Sequence, residues 1–78
     1  MEADIRNIIS EFCDESGDIT EPDEAWEKLE NFFREKGVAF ILSIDDMFDS
    51  PGLDVSSFSI AWVENGSPKL IVYRNVRY

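Results

Sequence analysis

Apolar residues recur along this chain with two different periods, and the change of period divides it. From Glu2 to Cys13, Ile5, Ile8, Ile9 and Phe12 return at helical spacing, while Glu2, Asp4, Asn7 and Glu11 fall off that stripe. A second helical stripe follows, made of Ala25, Trp26, Leu29, Phe32 and Phe33. From Val38 the period becomes two: Val38, Phe40, Leu42 and Ile44 alternate with Ala39, Ile41 and Ser43, which predicts a strand over Val38 to Ile44. Two further strand-like runs, between Phe58 and Tyr73, meet at Asn65-Gly66.

The residues between these runs act as punctuation. Thr20 is placed to cap the second helix with Asp23 three residues on, and Pro22 suits a first turn. Asp23 and Glu24 suit the positive end of the helix dipole, and Gly37 is placed to end the helix. Glu24 to Lys28 and Glu30 to Arg34 are i, i+4 pairs in the favourable orientation. Asn65 and Gly66 both accept positive φ, so a type I′ turn sets Glu64 opposite Ser67 and Val63 opposite Pro68. Alternation then puts Phe58, Ile60, Trp62, Ile71 and Tyr73 on one face. Ser59, Ala61, Val63, Leu70, Val72 and Arg74 fall on the other. Pro68 has no amide hydrogen for a further strand, which makes the C-terminal strand an edge. Asp14 to Asp23 reads as a polar interhelical connection. Asp45 to Ser57 reads as a long loop with a turn at Ser50-Pro51-Gly52, held to the core or offering apolar contacts through Met47 and Phe48.

The order helix, helix, strand, strand, strand predicts an α+β fold, two N-terminal helices packed on one face of a three-stranded antiparallel meander, as a single domain over residues 1–78. If the first strand aligns with the hairpin, the far face gathers Ala39, Ile41, Ala61, Val63, Leu70 and Val72. Such a face is an interaction surface, open to homodimerisation, unless one helix covers each side.

Composition makes that core feasible but small. The chain is 44% hydrophobic and 13% aromatic, beyond what a disordered acidic tail carries, yet at this length folding buries only about 60–65% of the unfolded surface. Cys13 is the one cysteine, which fits a reducing compartment. Glu2 and Asp4 stand where a signal peptide has positive charge, and no run has spanning length, so the expectation is a soluble cytoplasmic protein.

Charge changes the picture most. The net charge is −10, and residues 1–54 hold 16 of the 17 acids against four bases, whereas residues 55–78 hold one acid against three bases. A negative field of this size repels nucleic acid and anionic membrane and attracts basic protein surfaces, although solubility alone also explains an acidic chain. The candidate partner-binding carboxylates are Asp23, Glu24, Glu27, Glu30 and Glu35 on the second helix, then Asp45, Asp46 and Asp49 in the loop.

Catalysis is not expected. The chain has no histidine, no nucleophile with a plausible base, no Gly-rich phosphate loop and no zinc ligand set, so no cofactor or metal is assigned. Asp14, Ser16, Gly17 and Asp18 imitate part of a calcium loop. Placing Gly17 at its sixth position, however, puts Phe12 where the first Asp is required and Asp23 where a bidentate Glu is expected. The four aspartates from Asp45 to Asp54 match no ligand spacing. The tail from Arg74 to Tyr78 mixes base and aromatic, but too few bases accompany it to bind nucleic acid.

In size and charge the chain resembles the small acidic antagonists that phages and mobile elements deploy against restriction, CRISPR or repair nucleases. The likeness is one of property, with no shared motif. It implies a non-enzymatic inhibitor whose carboxylates occupy a cationic, nucleic-acid-binding protein surface. The alternatives are an immunity-type protein that neutralises a toxic enzyme, anchored by Trp26 or Trp62, and a structural adaptor that binds through the apolar sheet face.

Overall fold

The computed structural model describes residues 1–47 and 55–76. It contains α1 (Glu2–Ser10), α2 (Pro22–Lys36), β1 (Phe40–Met47), β2 (Val55–Glu64) and β3 (Ser67–Val76), with the strands in the order β1-β2-β3 and both pairings antiparallel. This is the expected α+β meander, with β2 central and β3 at an edge.

The hairpin forms because Asn65 (φ 53°) and Gly66 (φ 77°) both adopt positive φ at low cost. Glu64 therefore meets Ser67, and Val63 meets Pro68. β1 continues the same alternation, with Phe40 opposite Trp62, Leu42 opposite Ile60 and Ile44 opposite Phe58. All three strands thus present their larger apolar residues to one side, and both helices pack there. Ile5, Ile9, Leu29, Phe33, Phe58 and Ile60 are fully buried in one cluster with Ile19, Ala25, Leu42, Trp62, Ile71 and Val76. Phe33 stands near its centre, stacked on Phe40 at 5.0 Å and tilted against Trp62 at 6.1 Å.

Several boundaries differ from the expectation. α1 ends at Ser10, because Phe12 and Cys13 turn to pair with the loop beyond. Cys13 bridges Ile19, Ile19 bridges Val76, and the Thr20 amide donates to the Phe12 carbonyl at 2.9 Å. The polar interhelical connection consequently carries a core residue, since Ile19 is fully buried. Thr20 does not cap α2: its hydroxyl donates to the Phe12 carbonyl, Glu21 occupies the N-cap without a side-chain bond, and Pro22 begins the helix. Gly37 ends α2 as expected, in the left-handed conformation with φ 67°.

The loop expected over Asp45 to Ser57 is shorter. Asp45, Asp46 and Met47 extend β1 and pair with Ser57, Ser56 and Val55. Polar residues at the end of a ladder are held by its backbone bonds whatever their side chains prefer. The expected turn at Ser50-Pro51-Gly52, with Phe48 and Asp49, lies outside the described residues.

Candidate functional site

The two layers of the fold carry opposite kinds of surface. On the helical layer, the bases are largely engaged by acids of the same layer. Arg6 lies 3.7 Å from Glu2, Arg34 lies 3.2 Å from Glu30, and Lys28 bonds Glu11, which ties α2 to α1. Lys36 sits over the Phe32 ring at 5.7 Å. The expected Glu24–Lys28 pair is absent because Glu11 captures Lys28 across the helix interface; the Glu30–Arg34 pair forms as expected. Glu30 also accepts a hydrogen bond from the Trp26 indole Nε1.

What remains is an excess of unneutralised carboxylate. Asp23, Glu24, Glu27 and Glu35 are exposed, and none forms an ion pair with a described residue. Asp23, Glu27 and Glu30 follow one another along α2 at about 6 and about 4.5 Å of helical rise. Like charges at that spacing weaken an isolated helix, so this arrangement does nothing for the stability of α2.

The eight candidate carboxylates do not form one surface. Asp45 is exposed and shares its side of β1 with Ile41 and Ser43, so it lies on the face of the sheet away from the helices. The backbone of Asp46 belongs to β1, and Asp49 lies outside the described residues. Strand alternation, continued through Asp45 by its pairing with Ser57, is what separates it from the α2 acids.

The partial calcium loop has another use for its first carboxylate. Asp14 Oδ1 accepts from the amides of Ser16 (2.9 Å) and Asp18 (3.0 Å), closing the turn that Gly17 completes at φ 86°. Cys13, beside it, donates its thiol to the Ile9 carbonyl. Burial first, then the negative charges of Asp14 and Asp18, push the thiol above its ordinary pKa, away from nucleophilic character. Among the described residues no group of three or more acids or cysteines is placed to hold a metal ion. No helix among the described residues is long and apolar enough to cross a membrane.

Among the described residues no helix covers the far side of the sheet. Ile41 and Leu70 are 71% and 65% exposed, and Val63 and Val72 are each 44% exposed. These residues stand in register: Ile41 opposite Ala61 and Ala61 opposite Leu70, with Val63 opposite Pro68 on one side and Ser59 opposite Val72 on the other. A shallow open depression of about 290 Å³, lined by Ala39, Ile41, Ala61, Val63, Pro68 and Lys69 among others, lies in this patch. It suits a protein surface better than an enclosed small molecule. The apolar face foreseen from alternation is therefore present, and both helices lie on the other side.

Arg74 lies on this face as alternation predicts, whereas Asp45 joins it only because β1 runs past Ile44. Past Tyr73, β3 carries a bulge: Phe58 pairs with Tyr73 and Ser56 with Val76, so Arg74 and Asn75 together lie opposite the single residue Ser57. Asp45 and Arg74 thus flank Ser57 from opposite edges of the sheet. Comparison of the chain with protein-family models, with curated proteins and with solved structures finds no match in any of the three, so its surfaces carry the functional argument.

Proposed function

We propose that this protein is a non-catalytic inhibitor whose helical layer occupies a cationic, nucleic-acid-binding surface of a target protein. The observation that carries this reading is the run of unneutralised carboxylates on α2, in a layer whose arginines and Lys28 are already paired. Phosphates on one DNA strand follow at about 3.4 Å of axis, so α2 offers a sparser track of the same sign. Its rigidity comes from the core beneath, where Ala25, Leu29 and Phe33 are fully buried. Asp23, Glu24, Glu27 and Glu35 form the proposed contact, with Glu30 beside them already paired to Arg34, and Asp45 does not belong to it.

The immunity-type alternative relied on an exposed tryptophan. Trp62 is only 3% exposed, and Trp26 is half-buried with its indole donor engaged by Glu30, so neither offers a free anchor. The adaptor alternative draws on a separate observation, the uncovered sheet face.

The test is capture of partners from a lysate of the source at low and at high salt, alongside a variant carrying Asp23→Asn, Glu27→Gln and Glu30→Gln. The reading predicts a nucleic-acid-binding protein that is lost at high salt, lost with the variant, and displaced by added duplex DNA. A partner indifferent to all three refutes it.

A further inference from the structure

We infer that the uncovered sheet face binds a second copy of this chain, packed face to face about a two-fold axis that runs along β2. The inference stands apart from the acidic layer, because it uses only the opposite side of the sheet.

Four rows of side chains cross this face. Ala39, Val63 and Pro68 form the first, Ile41, Ala61 and Leu70 the second, Ser43, Ser59 and Val72 the third, and Asp45, Ser57 and Arg74 the fourth. The first two rows are thus apolar, the third sets Val72 beside two serines, and the last is polar with a negative residue at one edge and a positive one at the other. Asp45 and Arg74 are both exposed, and neither is in an ion pair with a described residue. Two strand spacings separate them, roughly 10 Å along the sheet, while strand side chains stand perpendicular to it and so extend toward a facing surface rather than toward each other.

A two-fold axis along β2 changes that relation. It exchanges the edges while keeping each row in place, so β1 of one copy lies over β3 of the other. Ile41 then faces Leu70 of the second copy, Ala61 faces Ala61, and Ser59 faces Ser59. Asp45 faces Arg74 twice, once at each edge. Stacked sheets lie about 10 Å apart, a gap that an extended arginine and an aspartate bridge together. A two-fold axis across the strands would instead lay β1 over β1 and leave both charges unmatched. The interface is self-complementary in charge, which is what an isologous contact requires.

The field of the chain permits the same arrangement. In such a pair the helices lie outermost, so the two acidic layers stand several Debye lengths apart at physiological salt, each about 8 Å. The sheet measures roughly 33 Å by 14 Å from strand length and spacing, so two faces cover about 900 Å². That lies below the range of permanent interfaces, and the dimer is weak, micromolar rather than nanomolar.

Sedimentation velocity on the full chain from about 10 µM to 1 mM, at 0.05 and 0.5 M NaCl, tests this. The expected result is a concentration-dependent dimer that salt does not dissolve, since salt screens the repulsion between two chains of net charge −10. Asp45→Arg alone and Arg74→Asp alone each weaken it roughly tenfold, and the two together restore it. Ile41→Lys abolishes it, with far-UV circular dichroism showing whether the monomer stays folded. A protein that is monomeric at 1 mM overturns the inference, as does a dimer indifferent to both charge reversals.

Discussion

Phe33 is the residue that seats α2 on the sheet and so aims its carboxylates outward, and its ring contacts set a measurable coupling. It is fully buried and stacked on Phe40 at 5.0 Å with 14° between the planes, while Phe32 meets it edge-on at 5.5 Å. Truncation to alanine would cost about 3–5 kcal/mol. A chain of this length has a stability of about 4–12 kcal/mol, so alanine risks unfolding it altogether. Phe33→Leu keeps the site filled and removes the ring stack, for an expected loss of about 2 kcal/mol. The informative quantity is the double-mutant cycle with Phe40→Leu. An aromatic pair in this geometry contributes about 0.5–1.5 kcal/mol beyond area, so the coupling should be near 1 kcal/mol. Phe58 provides the control: it is equally buried, but its ring meets Trp26 at 5.8 Å, and it lies four residues, roughly 13 Å, along β2 from Trp62. The Phe33–Phe58 coupling should stay within about 0.5 kcal/mol. Urea unfolding followed by far-UV circular dichroism and tryptophan fluorescence measures all the terms. A Phe33–Phe40 coupling below about 0.3 kcal/mol, or one no larger than the control, would refute the account.

Three further outcomes follow from single residues. The Cys13 thiol is held above its ordinary pKa, so the folded state keeps its proton longer than the unfolded one. The corresponding stability is complete below the unfolded value of about 8.5 and is lost as pH rises through the folded value. The iodoacetamide rate should therefore reach half-maximum above the unfolded value of about 8.5, and a midpoint at or below it contradicts the reasoning. Gly37 has φ 67° and nothing within 4 Å of an added Cβ, so Gly37→Ala meets only the backbone penalty, about 1 kcal/mol, or a fall in Tm of about 4–8 °C by calorimetry. Gly37→Asn should fall less, because asparagine tolerates that conformation. The Trp62 indole Nε1 is buried without an acceptor among the described residues, so Trp62→Phe loses ring area but also removes a donor whose desolvation costs about 1–3 kcal/mol. The net change in urea unfolding should lie within about 1 kcal/mol, and a loss above 2 kcal/mol would mean that the donor is satisfied.

Much of this molecule was legible in the order of its residues, where the physics is local. Helical spacing marks Ile5, Ile9, Leu29 and Phe33 as core, and Asn65-Gly66 sets the hairpin register because few residue pairs accept two positive φ angles. Alternation sorts Phe58, Ile60 and Trp62 from Ala61 and Val63 for the same reason. The uncovered face follows from that sorting once both helices take one side. Long-range pairing was not legible. Ile19 sits between polar residues and offers no period of its own, yet it is buried because its backbone bridges Cys13 on one side and Val76 on the other. Strict alternation through Leu70, Val72 and Arg74 would carry Val76 to the open face, but the bulge between Tyr73 and Val76 adds a residue and turns it into the core. Asp45 reads as loop because aspartate disfavours strands, and the ladder to Ser57 overrides that preference. Sequence alone determined which residues seek the core and how negative the surface is, because periodicity and charge are properties of the chain. Only the tertiary structure decided which carboxylates share a surface, since the pairing of β1 with β2 puts Asp45 and the acids of α2 on opposite sides of one sheet.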